Sequence, residues 1–499
     1  MNSFQRKSLY AALAGVGALG VTGAADAVNV NPNGLGQALI YPYYTTNEFA
    51  TLGINNAYNS LLSVVNTTNS AKAVKVRFLE GKNSREVLDF NLFLSKYDVW
   101  TAAIIPLING GAGVTTRDKS CTIPDNSFLT FPNITEFVNF AYVGSNDDKG
   151  GAGLDRTKEG YVEIIEMATY ATDTSTSIAV THVGGVPDCG AKFVFSDAQA
   201  ATDAASASGG LFGGLTLINV GAGTDYTEDA VALQRFNPGP LYQPAGSVSP
   251  QLTDSDPKTS VVFAAEPNKP SVFPSDLGVY ISRWPTPQYN PADAVSAVLM
   301  HDRVMNEFVL DAATKSGTDW VLTFPTKRFY VNVGTGSAPK LFQRNFNQTA
   351  GACDDVVLNI YDREERTTST PVTFSPPPPT STTSICWEAN IITFNNSNVL
   401  ASKNVSNINT GFENGWLKLG FARSTASPFH TLGNVTNTTH VSFADFTSTG
   451  LTKTYLGLPV VGFAVQSFTN GTLLVGGIGN VLANYGGNFV QKATTVIIN

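Results

Sequence analysis

The sequence predicts a mostly β chain folded as an antiparallel β-sandwich, immunoglobulin-like or jelly-roll-like, with a few short helices. Residues 61–100 alternate apolar and polar side chains with the period of two that places successive residues on opposite faces of a strand. Charged residues make up only 14% of the chain, against the roughly 25% of an average soluble protein. Gly, Ser, Thr and Asn take up the difference, which suits a β protein with polar, uncharged faces. The chain also opens on an export leader and carries an even set of cysteines behind it.

The leader comes first. Arg6 and Lys7 form a positive n-region, Leu9 to Val21 a short apolar run, and Ala25-Asp26-Ala27 a small-x-small cleavage pattern. Residues 1–27 are therefore expected to be a signal peptide, and the run is too short to span a bilayer comfortably. Removing a leader of net +1 takes the formal charge from −8 to −9, so nucleic acid is not the expected partner. The mature chain is long enough for two large β domains, 28–250 and 251–499. No transmembrane segment is expected after the leader. The expected location is secreted or at the cell surface, with the periplasm as the other compartment that fits.

Cys121, Cys189, Cys353 and Cys386 all follow the leader. After export an even count reads as disulfides, and three pairings are open. The expected one is Cys121–Cys189 with Cys353–Cys386, because each bridge then closes a loop within one half of the chain. No C-x-x-C and no neighbouring His pair supports a metal site instead.

Along the mature chain, Ala38 to Tyr44 reads as a short strand ended by Pro42. Its Tyr41, Tyr43 and Tyr44 are candidate glycan contacts, since aromatic rings stack on the apolar faces of sugars; the alternative is an edge strand packed on the core. Leu62 and Val64 are expected on one strand, Val74, Val76 and Phe78 on the next, and Leu88, Phe90, Leu92 and Leu94 on a third. Turns at Asn66–Ser70 and Glu80–Asn83 would join them into a meander with Lys75 and Arg77 facing water. Trp100 to Pro106, Phe137 to Val143 and Gly160 to Tyr170 read as further strands. Glu163 and Glu166, three apart on a strand, face opposite ways and cannot act as a carboxylate pair. The oxygens of Asn146–Asp155 could wrap Ca²⁺, but the spacing is not that of an EF-hand, so a solvated turn is expected.

Residues 236–260 read as a linker or long surface loop. The main helical segment is expected at 291–314, with Asn290 as N-cap and Pro291 in the first turn. Pro376 to Pro379 form a stiff tract. Glu388 beside Trp387 is a candidate for a carboxyl of raised pKa, without an identifiable partner. Thr454 to Gln491 carries no charge, and Asn470-Gly471 is a hairpin-turn signal.

Reactive signatures are missing. There is no nucleophile elbow, haem motif, Walker loop or dinucleotide fingerprint, and His182, His301, His430 and His440 do not pair at ligand spacing. No catalytic, cofactor or metal residue is assigned.

Three stretches resemble a group of functionally uncharacterised secreted or cell-surface β-rich proteins of Gram-negative bacteria: GQALIYPYYT, NTTNSAKAVKVRFLEGKNSREVLDFNLFLSKYDVW, and LPVVGFAVQSFTNGT with NYGG. The resemblance implies bacterial export and carries no active site. The expected role is that of an exported non-catalytic surface protein, structural or adhesive, self-associating through strand edges. The alternative is an extracellular protein that binds or processes glycans. A periplasmic ligand-binding protein is a third class, against which the mostly β pattern argues.

Overall fold

The computed structural model describes residues 26–498 apart from 50–55, 191–194, 266–276, 332–340, 343, 347–350, 368–383, 422–429, 443–447 and 476–478. The expected leader, apart from Asp26 and Ala27, and the tract Pro376 to Pro379 lie outside the described residues. Antiparallel strands dominate, stacked in sandwich-like layers.

The N-terminal half supplies two seven-stranded sheets. The first runs in the order Asn29–Val30, Val231–Gln234, Ala38–Thr45, Glu159–Tyr170, Ala71–Glu80, Glu86–Leu94, Thr122–Ile123. The second runs Thr224–Asp229, Gly214–Asn219, Asn59–Asn66, Val99–Pro106, Ala112–Thr115, Thr135–Glu136, with Leu211–Phe212 also paired to Asn59–Asn66. Val74, Val76, Phe78, Phe90 and Ile164 of the first meet Leu62, Val64, Trp100, Ile104 and Leu217 of the second in one core. The period of two does this work: alternate residues of each facing strand enter the core.

The C-terminal half contributes a five-stranded dividing sheet: Val405–Ile408, Ala389–Phe394, Gly317–Thr323, Phe463–Val475, Gly479–Val490. Its central strands are buried on both faces. Val321, Ile391 and Val465 point into the N-terminal core, whereas Trp320, Leu322, Ile392 and Phe394 point into a second core. A four-stranded sheet (Val357–Asp362, Asn414–Gly420, Arg303–Val309, Lys492–Thr494) and a five-stranded one (Thr259–Ala265, Leu277–Arg283, Thr431–Ser442, Ser448–Leu456, Val496–Ile498) complete it. Among the described residues no sheet mixes strands from before and after residue 250, yet both main cores draw on both halves.

Both disulfides form as expected, Cys121–Cys189 and Cys353–Cys386. No described helix is long and apolar enough to cross a membrane.

Several local expectations are corrected. The strands from 59 to 94 are not one meander: Asn59–Asn66 belongs to the second sheet, and the turn after it crosses to the first. Asn66 holds this arch, donating to Ser70 O and Ser95 O at 2.8 Å and accepting from Thr68 N. The segment 291–314 is helical only over Asp293–Leu299. Arg303–Val309 is a strand, because Val304, Asn306 and Phe308 alternate with more exposed neighbours. Phe137 to Val143 is not a strand but contains a single 3₁₀ turn, Phe140–Tyr142. Asn470-Gly471 lies inside the strand Phe463–Val475, where the register shifts as at a bulge, and the hairpin reverses after Val475.

The largest correction concerns Lys75 and Arg77. Neither faces water; they are 0% and 1% exposed. Arg77 Nη1 donates to Glu163 at 2.6 Å and its Nε to Glu86 at 2.7 Å, while Lys75 Nζ lies 3.4 Å from Asp89. Residues 236–260, expected as a linker or long surface loop, are not free: Phe236 and Leu252 are buried, Gln243 O accepts from Asn91 of the first sheet, and Thr259 and Ser260 begin a strand.

Truncating one member of a buried ion pair leaves the other charge unpaired. Arg77→Met is expected to lower unfolding free energy by about 3–5 kcal/mol. Arg77→Met combined with Glu163→Leu should recover most of that loss, since Glu86 keeps access to water. Urea denaturation of the variants measures both.

Candidate interaction face

The ionisable residues that sequence reasoning singled out are structural. Glu388 is 1% exposed, and burial pushes its pKa up to about 8 against the pull of Lys327. Its Oε2 accepts from Ser84 Oγ at 3.0 Å, and Ser84 in turn accepts from Tyr161 OH at 2.8 Å. This chain of hydroxyls joins the two halves. Glu163 pairs with Arg77 and Glu166 with Lys72, on opposite faces as expected. Glu80 is wrapped by the N–H groups of Lys82, Asn83 and Arg85 and by the guanidinium of Arg156. A carboxylate so fully engaged organises a turn.

In the loop Asn146–Asp155, Asp148 is not solvated. Burial works against its charge, but donors from Arg156, Asn83 and Gly150 hold its pKa down at about 2. The Arg156 guanidinium sits where a cation would bind. Among the described residues no group of three or more His, Cys, Asp or Glu could hold a metal ion.

Tyr41, Tyr43 and Tyr44 are fully enclosed, so the expected glycan contact through them is corrected. Their hydroxyls bond Ser63 O, Glu159 Oε2 and Thr157 O. Ala38–Thr45 is an interior strand, between Val231–Gln234 and Glu159–Tyr170, where a ring has no route to solvent. Glu159 also accepts from Ser402 Oγ and from the N–H groups of Lys403 and Asn404, tying the halves together.

Two surface features remain. One is an apolar cleft of about 390 Å³ at the seam between the halves, lined by Val231, Val262, Leu299, Val304, Val461 and others. Its polar groups include Glu228, pushed up to about 7 by burial, and His301, pushed down to about 4 by burial and so neutral at pH 7.

The other is the outer face of the second sheet, a shallow groove of about 620 Å³. The inward residues of Asn59–Asn66 and Val99–Pro106 fill the core, so Leu61, Ser63, Val65, Val99, Thr101, Ala103 and Ile105 point outward. Thr216 and Ile218 continue that face on Gly214–Asn219. The outer face of a sandwich ordinarily carries polar and charged side chains. Here Leu61 is 42% exposed, Val99 47% and Phe212 41%, with no charge between them. Phe131, 54% exposed, flanks the groove under the Arg117 guanidinium at 4.9 Å. Exposed apolar side chains in this position make the face the candidate interaction surface.

Sequence reasoning missed this face. The signal was present in Leu61-Leu62 and Val64-Val65, where adjacent positions are both apolar, so that both faces of one strand must be. No protein-family model, curated protein or solved structure matches the chain.

Glu388 supplies a pH prediction. Its ordinary value is 4.5, and its folded value lies near 8. Between those values the unfolded chain releases the proton and the folded chain keeps it, so stability falls as pH rises. The penalty is absent below 4.5 and complete above about 8. Glu388→Gln should therefore be more stable than the parent at pH 8, by a few kcal/mol at most, and indistinguishable from it near pH 4. Urea midpoints at the two pH values test this.

Proposed function

We propose that this chain is an exported, non-catalytic protein of the bacterial cell surface, structural or adhesive, that acts through its sheet faces rather than a reactive pocket. The observation that carries the reading is the exposed, uncharged middle of the outer face of the second sheet, on a chain that pairs Lys72 with Glu166, Arg77 with Glu163, Arg156 with Glu80 and Lys327 with Asp354 inside. Two disulfides support an oxidising compartment. Of the acidic side chains singled out, Glu163 and Glu166 are held in ion pairs, Asp148 by Arg156 and Glu388 by a buried hydroxyl, which supports a role without catalysis.

A second reading, glycan binding, is favoured by a different residue from those first considered. Trp416 is 40% exposed and stacks on Tyr361 at 4.7 Å between ring centroids, inclined by 17°. Cross-strand pairing sets Glu307 beside Trp416 on its other side. An exposed ring beside a carboxylate is a surface on which a sugar can stack and hydrogen-bond.

Cell fractionation should place the processed chain on the outer surface or in the medium, and a strain lacking it should lose adhesion or surface hydrophobicity. A chain retained in the cytoplasm, or a deletion without a surface phenotype, overturns the first reading. On a glycan array the second reading expects binding that Trp416→Ala abolishes; an array without signal removes it.

A further inference from the structure

We propose that the outer face of the second sheet joins two copies of this chain, face to face, about a two-fold axis parallel to the strand Asn59–Asn66. The proposal rests on the surface-acting reading above and names the partner of that face.

The argument begins with where charge sits. Asn59–Asn66 is the middle of five strands, with Gly214–Asn219 and Thr224–Asp229 on one side and Val99–Pro106 and Ala112–Thr115 on the other. The outward positions of the three inner strands carry no charge. The groove has a cation on one rim, Arg117, and an anion on the other, Asp229. Both are exposed, and neither has an ion-pair partner among the described residues.

Register then fixes their level. Ser63 pairs with Thr101, and Asp229 with Gly214. Leu215 pairs with Leu62, which sets Gly214 beside Ser63. Thr101, Ser63, Gly214 and Asp229 therefore form one row across the sheet. Thr115 pairs with Ala103, so Arg117, two residues further along an antiparallel strand, arrives at the level of Thr101. The bond from Thr116 Oγ1 to Thr101 O, 2.5 Å, holds the chain to that level past the end of the strand.

The two charges thus stand at the ends of one row, each about 10 Å from its centre at the usual strand spacing. A half-turn about an axis along the central strand preserves level and exchanges the two sides. Arg117 of one copy then meets Asp229 of the other, and the reciprocal pair forms by symmetry. Leu61 and Val65 of the two copies pack at the middle. Along this row the face is self-complementary in charge, and the middle it spans is apolar; the neighbouring row through Asn59 ends in Asp225 and Glu136, which the same axis sets as like charges at the periphery.

At the N-terminal sheets the other route to self-association, strand addition at an edge, is disfavoured. Two edge strands of the N-terminal sheets, Thr122–Ile123 and Thr135–Glu136, are two residues long. The longer edge Thr224–Asp229 is engaged by the C-terminal hairpin, through Asn484 Nδ2 to Ala222 O and Asn488 Nδ2 to Thr227 O. Short or covered edges do not template strand addition.

The test is a charge swap read by sedimentation of the full mature chain. The parent is expected to dimerise. Arg117→Asp and Asp229→Arg singly place like charges at both contacts and should weaken dimerisation about tenfold or more. The double variant restores both pairs and should dimerise like the parent. An equimolar mixture of the two single variants should form heterodimers more tightly than either variant forms homodimers, because only the two-fold arrangement then matches both contacts. Circular dichroism of these exposed variants confirms that the fold is kept. A parent chain monomeric at every concentration reached, single variants that dimerise like the parent, or a mixture no tighter than its components overturns the proposal. Localisation and surface phenotype are separate readouts, so a surface protein without this dimer is told apart from failure of the broader reading.

Discussion

One constraint governs the arrangement of the whole chain: the strand Ala71–Glu80 is buried on both faces, and one of those faces is ionic. A buried guanidinium or ammonium without a partner costs far more than the stability of a domain allows. Lys75 and Arg77 therefore require Asp89 and Glu86 on one neighbouring strand and Glu163 on the other. The same layer needs a cover. Arg328 reaches into it from the C-terminal half, donating to Ser84 O and bonding Gln251 of the covering loop. Docking of the two halves follows from the need to close this layer, together with the apolar area that the dividing sheet buries.

Much of this was legible in the residues, and the failures have physical reasons. Strand alternation survives in nearly every sheet because the period of two is imposed by backbone geometry. Cysteine pairing followed from loop closure within each half. The ionic layer was not legible as buried, since charged side chains are rarely enclosed and a half-polar strand ordinarily faces solvent. A finer reading would have noticed opposite charges matched across Lys75, Arg77, Glu86, Asp89 and Glu163 on what become adjacent strands. The arch at Asn66–Ser70 has the composition of a hairpin; only the partner sheets decide which it is. Residues 303–309 satisfy a helical stripe through Met305, Phe308 and Val309 and a strand through Val304, Asn306 and Phe308. Tertiary packing chose the strand.

The candidate face was less legible than the fold. Tyrosines drew attention because aromatic rings bind, yet Tyr41, Tyr43 and Tyr44 lie on an interior strand and spend their hydroxyls on the sandwich itself. The outward residues of the second sheet are aliphatic and hydroxylic, types with no chemical signature. Their meaning comes from position: Leu61, Val65 and Val99 stand where a sandwich ordinarily shows charge. The surface aromatic pair, Tyr361 and Trp416, lies fifty-five residues apart in sequence and meets only through strand pairing.

The dividing sheet also sets an order of events during biosynthesis. Val465 and Ile391 complete the core that Val64, Val76 and Ile164 begin. The N-terminal layers thus leave the ribosome, or any export channel, long before the residues that seal them. For that interval they present a bare apolar flank and an ionic layer that is paired but uncovered. A nascent chain in this condition is a client for holdase chaperones, and truncation before the final hairpin would leave it there permanently.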